Sequence, residues 1–296
     1  MLSLIAPRAH AAVLWPLAPS SLILDVARAG ATLVAVGERG FVLRSLDDGQ
    51  TWTQQPSPVD VMLTALVFLD GRRGIAVGHD ETIIVTEDSG VTWSVARQAP
   101  ESETPLFDVH FTDQARGHAV GAFGRLLSTS DGGATWAEGR VSAEEPHLYA
   151  LASRGQVLWT AGEAGALLMS VDNGATWAQA PSSPYAGSFF GLMALADGGL
   201  LLFGLRGHLF RSDDGGKSWV AITTGTDATL QGGIELASGE VVLAGLGGTV
   251  LSSADGRAFA VATLPGREGL SGAVSTSEGR TLVFGEGGVR PWATAS

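Results

Sequence analysis

An all-β propeller of seven four-stranded antiparallel blades is predicted by three features of this 296-residue chain. A glycine-centred segment recurs as Val36-Gly37-Glu38-Arg39-Gly40, Val77-Gly78-His79-Asp80, Val120-Gly121-Ala122-Phe123-Gly124, Ala161-Gly162-Glu163-Ala164-Gly165, Phe203-Gly204-Leu205-Arg206-Gly207, Ala244-Gly245-Leu246-Gly247 and Phe284-Gly285-Glu286-Gly287. Its first glycines, at 37, 78, 121, 162, 204, 245 and 285, lie 40 to 43 residues apart. That period, filled with short strands, marks one four-stranded sheet per repeat. A second motif, Ser/Thr-x-Asp-x-Gly-x-Thr/Ser-Trp, recurs at a fixed place after the first. Length alone would suggest about two domains. No single blade can bury both faces of its sheet, so one domain over residues 1–296 is expected.

The repeat at residues 63–97 shows why each element forms. Leu63–Leu69 is apolar and β-prone, and Asp70-Gly71 ends it. Gly74–Gly78 follows, then a turn at His79-Asp80 and a third run, Thr82–Thr86. Asp88-Ser89-Gly90 turns the chain into Thr92–Arg97. Four short runs separated by turn residues make a meander, A to D from the propeller axis outward. The inner runs are nearly all apolar, as sheets packed on both faces require.

The motif between C and D places Asp47, Asp88, Asp131, Asp172 and Asp214 in the turn and Trp52, Trp93, Trp136, Trp177 and Trp219 at the start of D. The carboxylate suits the N–H groups of its own turn, and the glycine supplies a positive φ. The Trp can pack against the neighbouring blade. Recurrence in blade after blade points to a structural latch. A sixth copy, Ser252–Phe259, is degraded, and the last repeat has runs A to C (270–277, 280–285, 288–293) without D. Residues 11–17, Ala-Ala-Val-Leu-Trp-Pro-Leu, are expected to supply the missing strand and close the ring.

Composition excludes several classes. The net charge of −12 argues against nucleic acid as partner. Zero cysteines exclude disulfides and thiolate chemistry. Ala11–Ala18 is too short and too interrupted by Pro16 to span a membrane, and with Arg8 and His10 just before it, it does not read as a secretory leader. A soluble monomer is expected, since a closed ring needs no partner to cover its edges.

The latch motif resembles the BNR/Asp-box repeat of sialidases and many other propellers. The longer string Ala35-Val36-Gly37…Gly40-Phe41-Val42-Leu43-Arg44-Ser45-Leu46-Asp47…Trp52 is similar to the photosystem II stability/assembly factor-like family, over nearly the whole chain from about residue 11. The resemblance implies a non-enzymatic scaffold that binds another protein and assists a membrane or envelope complex, in the periplasm or thylakoid lumen. Phototroph members chaperone a reaction-centre subunit and carry an arginine-rich patch. Here Arg72, Arg73, Arg116, Arg140 and Arg154 are spread through several repeats.

In a propeller the B–C turns and D–A linkers share one end of the channel, where ligands commonly bind by analogy with other propellers. Turn positions there vary between repeats, so specialisation can sit on them. The candidate partner-binding residues are Arg39, His79, Asp80, Phe123, Arg125, Glu163 and Arg206 from the turns, with His147, Tyr149 and Tyr185 from the linkers. Exposed aromatics beside Arg and Glu suit a polypeptide surface. The rival reading is a carbohydrate-active propeller. A sialidase would need a Tyr nucleophile, yet Tyr149 and Tyr185 are the only tyrosines and the usual Arg-Ile-Pro is absent. A carboxylate pair would need Asp80 or Glu81 to face Glu144 or Glu145 across the channel. The six histidines show no metal-binding spacing, and His110 and His118 read as core residues across one A–B hairpin. No metal, cofactor or catalytic residue is expected.

Overall fold

The computed structural model describes residues 10–142 and 144–293. It contains seven antiparallel sheets, each a meander, arranged in chain order. Six have four strands; the last, Leu270–Ser275, Thr281–Gly285 and Gly288–Trp292, has three. The second strands are the most deeply buried, every residue of Thr32–Gly37, Gly74–Gly78 and Gly117–Gly121 being covered. The fourth strands, such as Thr53–Gln55 and Ala260–Thr263, lie at the exposed rim.

The core is divided into seven apolar clusters, one at each boundary between blades. Val34, Val36, Leu63 and Ala76 join blades 1 and 2, for example, and Val120, Leu126, Leu148 and Leu168 join blades 3 and 4. Each Asp-box Trp is built into the boundary with the preceding blade: Trp93 with blade 1, Trp136 with blade 2, Trp177 with blade 3 and Trp219 with blade 4. In the degraded copy Phe259 takes this place, and at the last boundary Trp292 does.

The ring closes differently from the sequence-based expectation. Residues 11–17 do not form strand D of blade 7. The Ala12 N–H donates to the Ser57 carbonyl (3.1 Å), the Trp15 N–H to Gln54 Oε1 (2.7 Å), and Gln54 Nε2 to the Val13 carbonyl (3.0 Å). The segment therefore lies along the outer edge of blade 1. Pro16 and Pro19 offer no N–H to a ladder, and the chain makes a 3₁₀ turn at Ala18–Ser20. The Pro19 carbonyl packs so tightly on Gly288 that a Cβ there would sit 2.0 Å from it. Closure comes from face packing: Ile23, Leu33 and Leu43 of blade 1 meet Val274, Leu282 and Phe284 of blade 7. Arg28 reinforces this seam, donating to Asp48 in its own blade (2.8 Å) and to the Ser275 carbonyl in blade 7 (2.9 Å).

Candidate functional site at the channel mouth

Every first strand carries the same irregularity. Register shifts fall between Ile23 and Asp25, Leu63 and Ala65, Leu148 and Ala150, Phe189 and Gly191, Leu230 and Gly232, and Leu270 and Gly272, with the equivalent shift at Leu106/Asp108 in blade 3. A bulge leaves one residue out of the ladder and re-aims its side chain. The residues concerned are Leu24, Thr64, Phe107, Tyr149, Phe190, Gln231 and Ser271. All seven line a cavity of about 340 Å³ at one end of the channel, together with Leu246 and Glu286.

This collar is asymmetric. Blades 3, 4 and 5 contribute Phe107, Tyr149 and Phe190, with ring centroids 5.2 Å and 5.0 Å apart in succession. The aromatic surface extends outward through His147, 6.4 Å from Phe107, to Phe123, 4.8 Å further on. His147 Nδ1 accepts from the Phe123 N–H (3.1 Å), which fixes the ring against the turn. Phe123 is 56% exposed and stands at φ 55°, the same left-handed turn tip that holds Arg39, Asp80, Ala164 and Arg206 in other blades.

Carboxylates surround the collar. Glu38, Glu163 and Glu286, the first residues of three B–C turns, accept the N–H of Leu22 (3.1 Å), His147 (2.7 Å) and Gly269 (2.8 Å). Tyr149 is pushed above the usual phenol range by burial and then by the Glu163 charge. Deeper, Asp25 and Asp108 line a narrower cavity of about 230 Å³ beneath the collar. Asp25 accepts from its neighbour Val26 and from Leu66 of the next blade (2.7 Å); Asp108 accepts from Val109 and from Leu151 of the next blade (2.7 Å). Burial raises Asp25 to about 6 and Asp108 to about 7, the latter also through repulsion by Asp25.

The ten candidate residues do not form one site. Phe123, His147, Tyr149 and Glu163 come together at the mouth. Arg125 lies between blades 2 and 3, where Arg97 and Arg125 both grip Glu81 and both reach Glu138. Tyr185 packs against His208 with the rings tilted (centroids 4.1 Å apart) in an open pocket beside Arg206 and Phe210. Arg39 is an exposed turn tip, and the His79 N–H is held by the Met62 carbonyl (2.9 Å). Leu24, Thr64, Phe107, Phe190, Gln231 and Ser271 are not among those ten candidates. Their signal is positional: each follows the buried residue that opens strand A, 13 or 14 residues before the repeat glycine. The preceding position is always a large apolar residue, whereas this one reads Leu, Thr, Phe, Tyr, Phe, Gln, Ser.

Glu81 is fully buried between two arginines and Glu145 is paired with Arg140, so neither is a free acid or base across the channel. His110 and His118 face each other across the A–B hairpin. His110 bonds Ser153 Oγ (2.7 Å) and His118 bonds Ser128 Oγ (2.9 Å) and the Asn173 carbonyl (3.0 Å). Among the described residues no group of three His, Asp or Glu side chains is placed to hold a metal. The Asp-box carboxylates lie in the C–D turns at the opposite end. Asp47 accepts from Ser45 Oγ (2.8 Å), the Thr51 N–H (2.8 Å) and Thr51 Oγ1 (2.6 Å), and the other four intact boxes repeat this set. Many arginines act as staples between blades: Arg44 to the Ser89 carbonyl (2.9 Å), Arg73 to that of Asp131 (3.3 Å) and Arg154 to that of Leu195 (2.7 Å).

Residues 98–263 match the family described as photosynthesis system II assembly factor YCF48. The chain belongs to that family. Of solved structures, it is similar to one titled "YCF48 bound to D1 peptide", at 18% identity and a TM-score of 0.73, covering 97% of this chain and 94% of that one. It is also similar to virginiamycin B lyase from Staphylococcus aureus, at 11% identity and a TM-score of 0.78, covering 95% and 96%. At such identities the likeness concerns the fold, which a peptide binder and a lyase share. A Bacillus subtilis protein described as uncharacterized protein YkuO is 38% identical over 78 residues, 26% of this chain and 25% of the relative. The matched part thus spans about a quarter of that curated relative. No helix among the described residues is long and apolar enough to cross a membrane.

Proposed function

We infer that this YCF48-family chain is a non-enzymatic scaffold that binds an extended part of another protein at the channel mouth, and that the client is a subunit of a membrane or envelope complex. The observation that carries this reading is the collar. On a scaffold that otherwise repeats, three successive blades place Phe107, Tyr149 and Phe190 side by side, continuing to the exposed Phe123. Large rigid rings in a half-buried recess are the usual anchors of polypeptide recognition. Family membership and the peptide-bound relative support a protein client. The commitment of Glu81 and Glu145 to arginines speaks against the glycosidase alternative.

The test is site-specific photo-crosslinking in the native host. A photoreactive residue replaces Phe123 or Phe190 at the mouth, or Gln50 at the opposite end, and adducts are identified by mass spectrometry. A membrane-complex subunit captured from the mouth positions alone supports the reading. Capture only from Gln50, or a hydrolase or lyase activity abolished by Tyr149→Phe, overturns it.

A further inference from the structure

We propose that the channel mouth selects a cationic side chain, a lysine or arginine of the bound polypeptide, which passes the aromatic collar and places its charge beside Asp25 and Asp108. This rests on the reading of the mouth as a polypeptide site and adds the chemistry it recognises.

The cavity is built in two layers of different chemistry. The upper layer presents aromatic faces on one side, Phe107, Tyr149 and Phe190, and Leu24 on the other. The lower layer presents carboxyls from blades 1 and 3, which flank blade 2 and face one channel. A lysine or arginine has a matching division, with an apolar stem and a charged tip. The stem can cover the collar while the charge meets ring faces on the way in and carboxylates at the end.

Each Asp oxygen already takes one backbone N–H, so it is held in place and keeps a lone pair. Both carboxyls line the one small cavity, and ionised Asp25 disfavours the charge on Asp108. A cation between them removes that repulsion. The rim adds Glu38, Glu163 and Glu286, all carboxylates. Among the described residues, His147 is the basic group in contact with the collar rings. An anionic side chain would meet five carboxyl groups and no guanidinium there.

The test is an NMR titration of the full chain with the blocked peptide Ac-Gly-Lys-Gly-NH2, and with matched peptides carrying norleucine or glutamate. The lysine peptide is expected to shift the amides of Leu66 and Leu151, which donate to the two aspartates, and to bind at least about tenfold more tightly than norleucine. Asp25→Asn with Asp108→Asn should abolish that preference. Should this double variant not fold, Phe190→Leu with Tyr149→Leu keeps an apolar collar without ring faces and should lower lysine affinity while sparing norleucine. Equal binding of lysine and norleucine, or lysine shifts confined to the opposite end of the channel, overturns the proposal. Mouth crosslinks to a client without lysine preference would sink this inference and leave the scaffold standing. Lysine binding without mouth crosslinks would do the reverse.

Discussion

Glu81 of blade 2 accepts two guanidinium nitrogens of Arg125 from blade 3, and it does so from a backbone φ of 49°. The six other blades place a glycine at this turn position: Gly40, Gly124, Gly165, Gly207, Gly248 and Gly288, all with positive φ. In those blades the turn packs on the following linker; at Gly40, Gly165 and Gly207 a Cβ would come within 2.5 Å of a linker carbonyl. The linker after blade 2 carries a 3₁₀ turn at Pro100–Ser102, and the Glu81 N–H bonds the Thr104 carbonyl (2.8 Å) with space left for a side chain. The room so gained holds a buried carboxylate clamped by Arg97 and Arg125.

Glu81→Gln should therefore cost about 3 kcal/mol in urea unfolding, because two partly buried guanidinium groups lose their shared charge partner. Glu81→Gly should be about 1 kcal/mol less damaging than Glu81→Ala, since only glycine tolerates this φ without strain. Equal costs for all three variants would contradict the clamp.

Two buried pairs should give the stability profile opposing slopes between pH 4 and 7. Asp25 and Asp108 have folded values of about 6 and 7 against 3.8 unfolded, so the folded state holds their protons more tightly. Their contribution grows as pH falls from 7 to 4. Burial lowers His110 to about 4 from 6.5, and lowers His118 too, so the folded state holds their protons less tightly and stability is lost over the same fall. Asp25→Asn with Asp108→Asn should leave a protein that weakens on acidification, and His110→Asn one that gains. Denaturant midpoints at pH 7, 5.5 and 4 read both signs.

Below pH 4 the Asp boxes take over. Hydrogen bonds from Thr or Ser hydroxyls and turn N–H groups hold Asp47, Asp131, Asp172 and Asp214 at about 2. Their contribution is complete above 3.8 and is lost as pH falls toward 2. Circular dichroism during acid titration should show a cooperative loss of sheet over that window. Trp93→Ala, which empties the blade 1–2 boundary, should cost about 3–5 kcal/mol and leave crosslinking at the channel mouth intact, because its latch sits at the other end.

Ring closure by face packing predicts tolerance at the N-terminal edge. A chain beginning at Leu17 loses the bonds of Ala12, Val13 and Trp15 to blade 1 but keeps the blade 7–1 seam. It should still unfold in one cooperative step. Leu282→Ala, inside that seam, should cost about 2–5 kcal/mol. A truncated chain that loses its fold would restore an essential role for the segment as a closing strand.

The blades, their number and the chemistry of their turns were legible in the sequence by itself, for a local reason. Turn residues such as Asp88 and Gly90, and the apolar runs between them, act within a few residues, and recurrence, fivefold for the intact Asp box and sevenfold for the glycine segment, reinforces each signal. Two features were decided only by tertiary structure. Residues 11–17 look like a strand, but whether a strand pairs depends on which distant edge it meets, and Gln54 and Ser57 of blade 1 hold this one. The collar depends on a bulge that turns one residue per blade toward the axis; by residue type alone Phe107 and Phe190 look like core, and only their place in the repeat sets them apart. Only ring closure sets Phe107, Tyr149 and Phe190 side by side, because adjacency across blades is a property of packing between residues some forty positions apart.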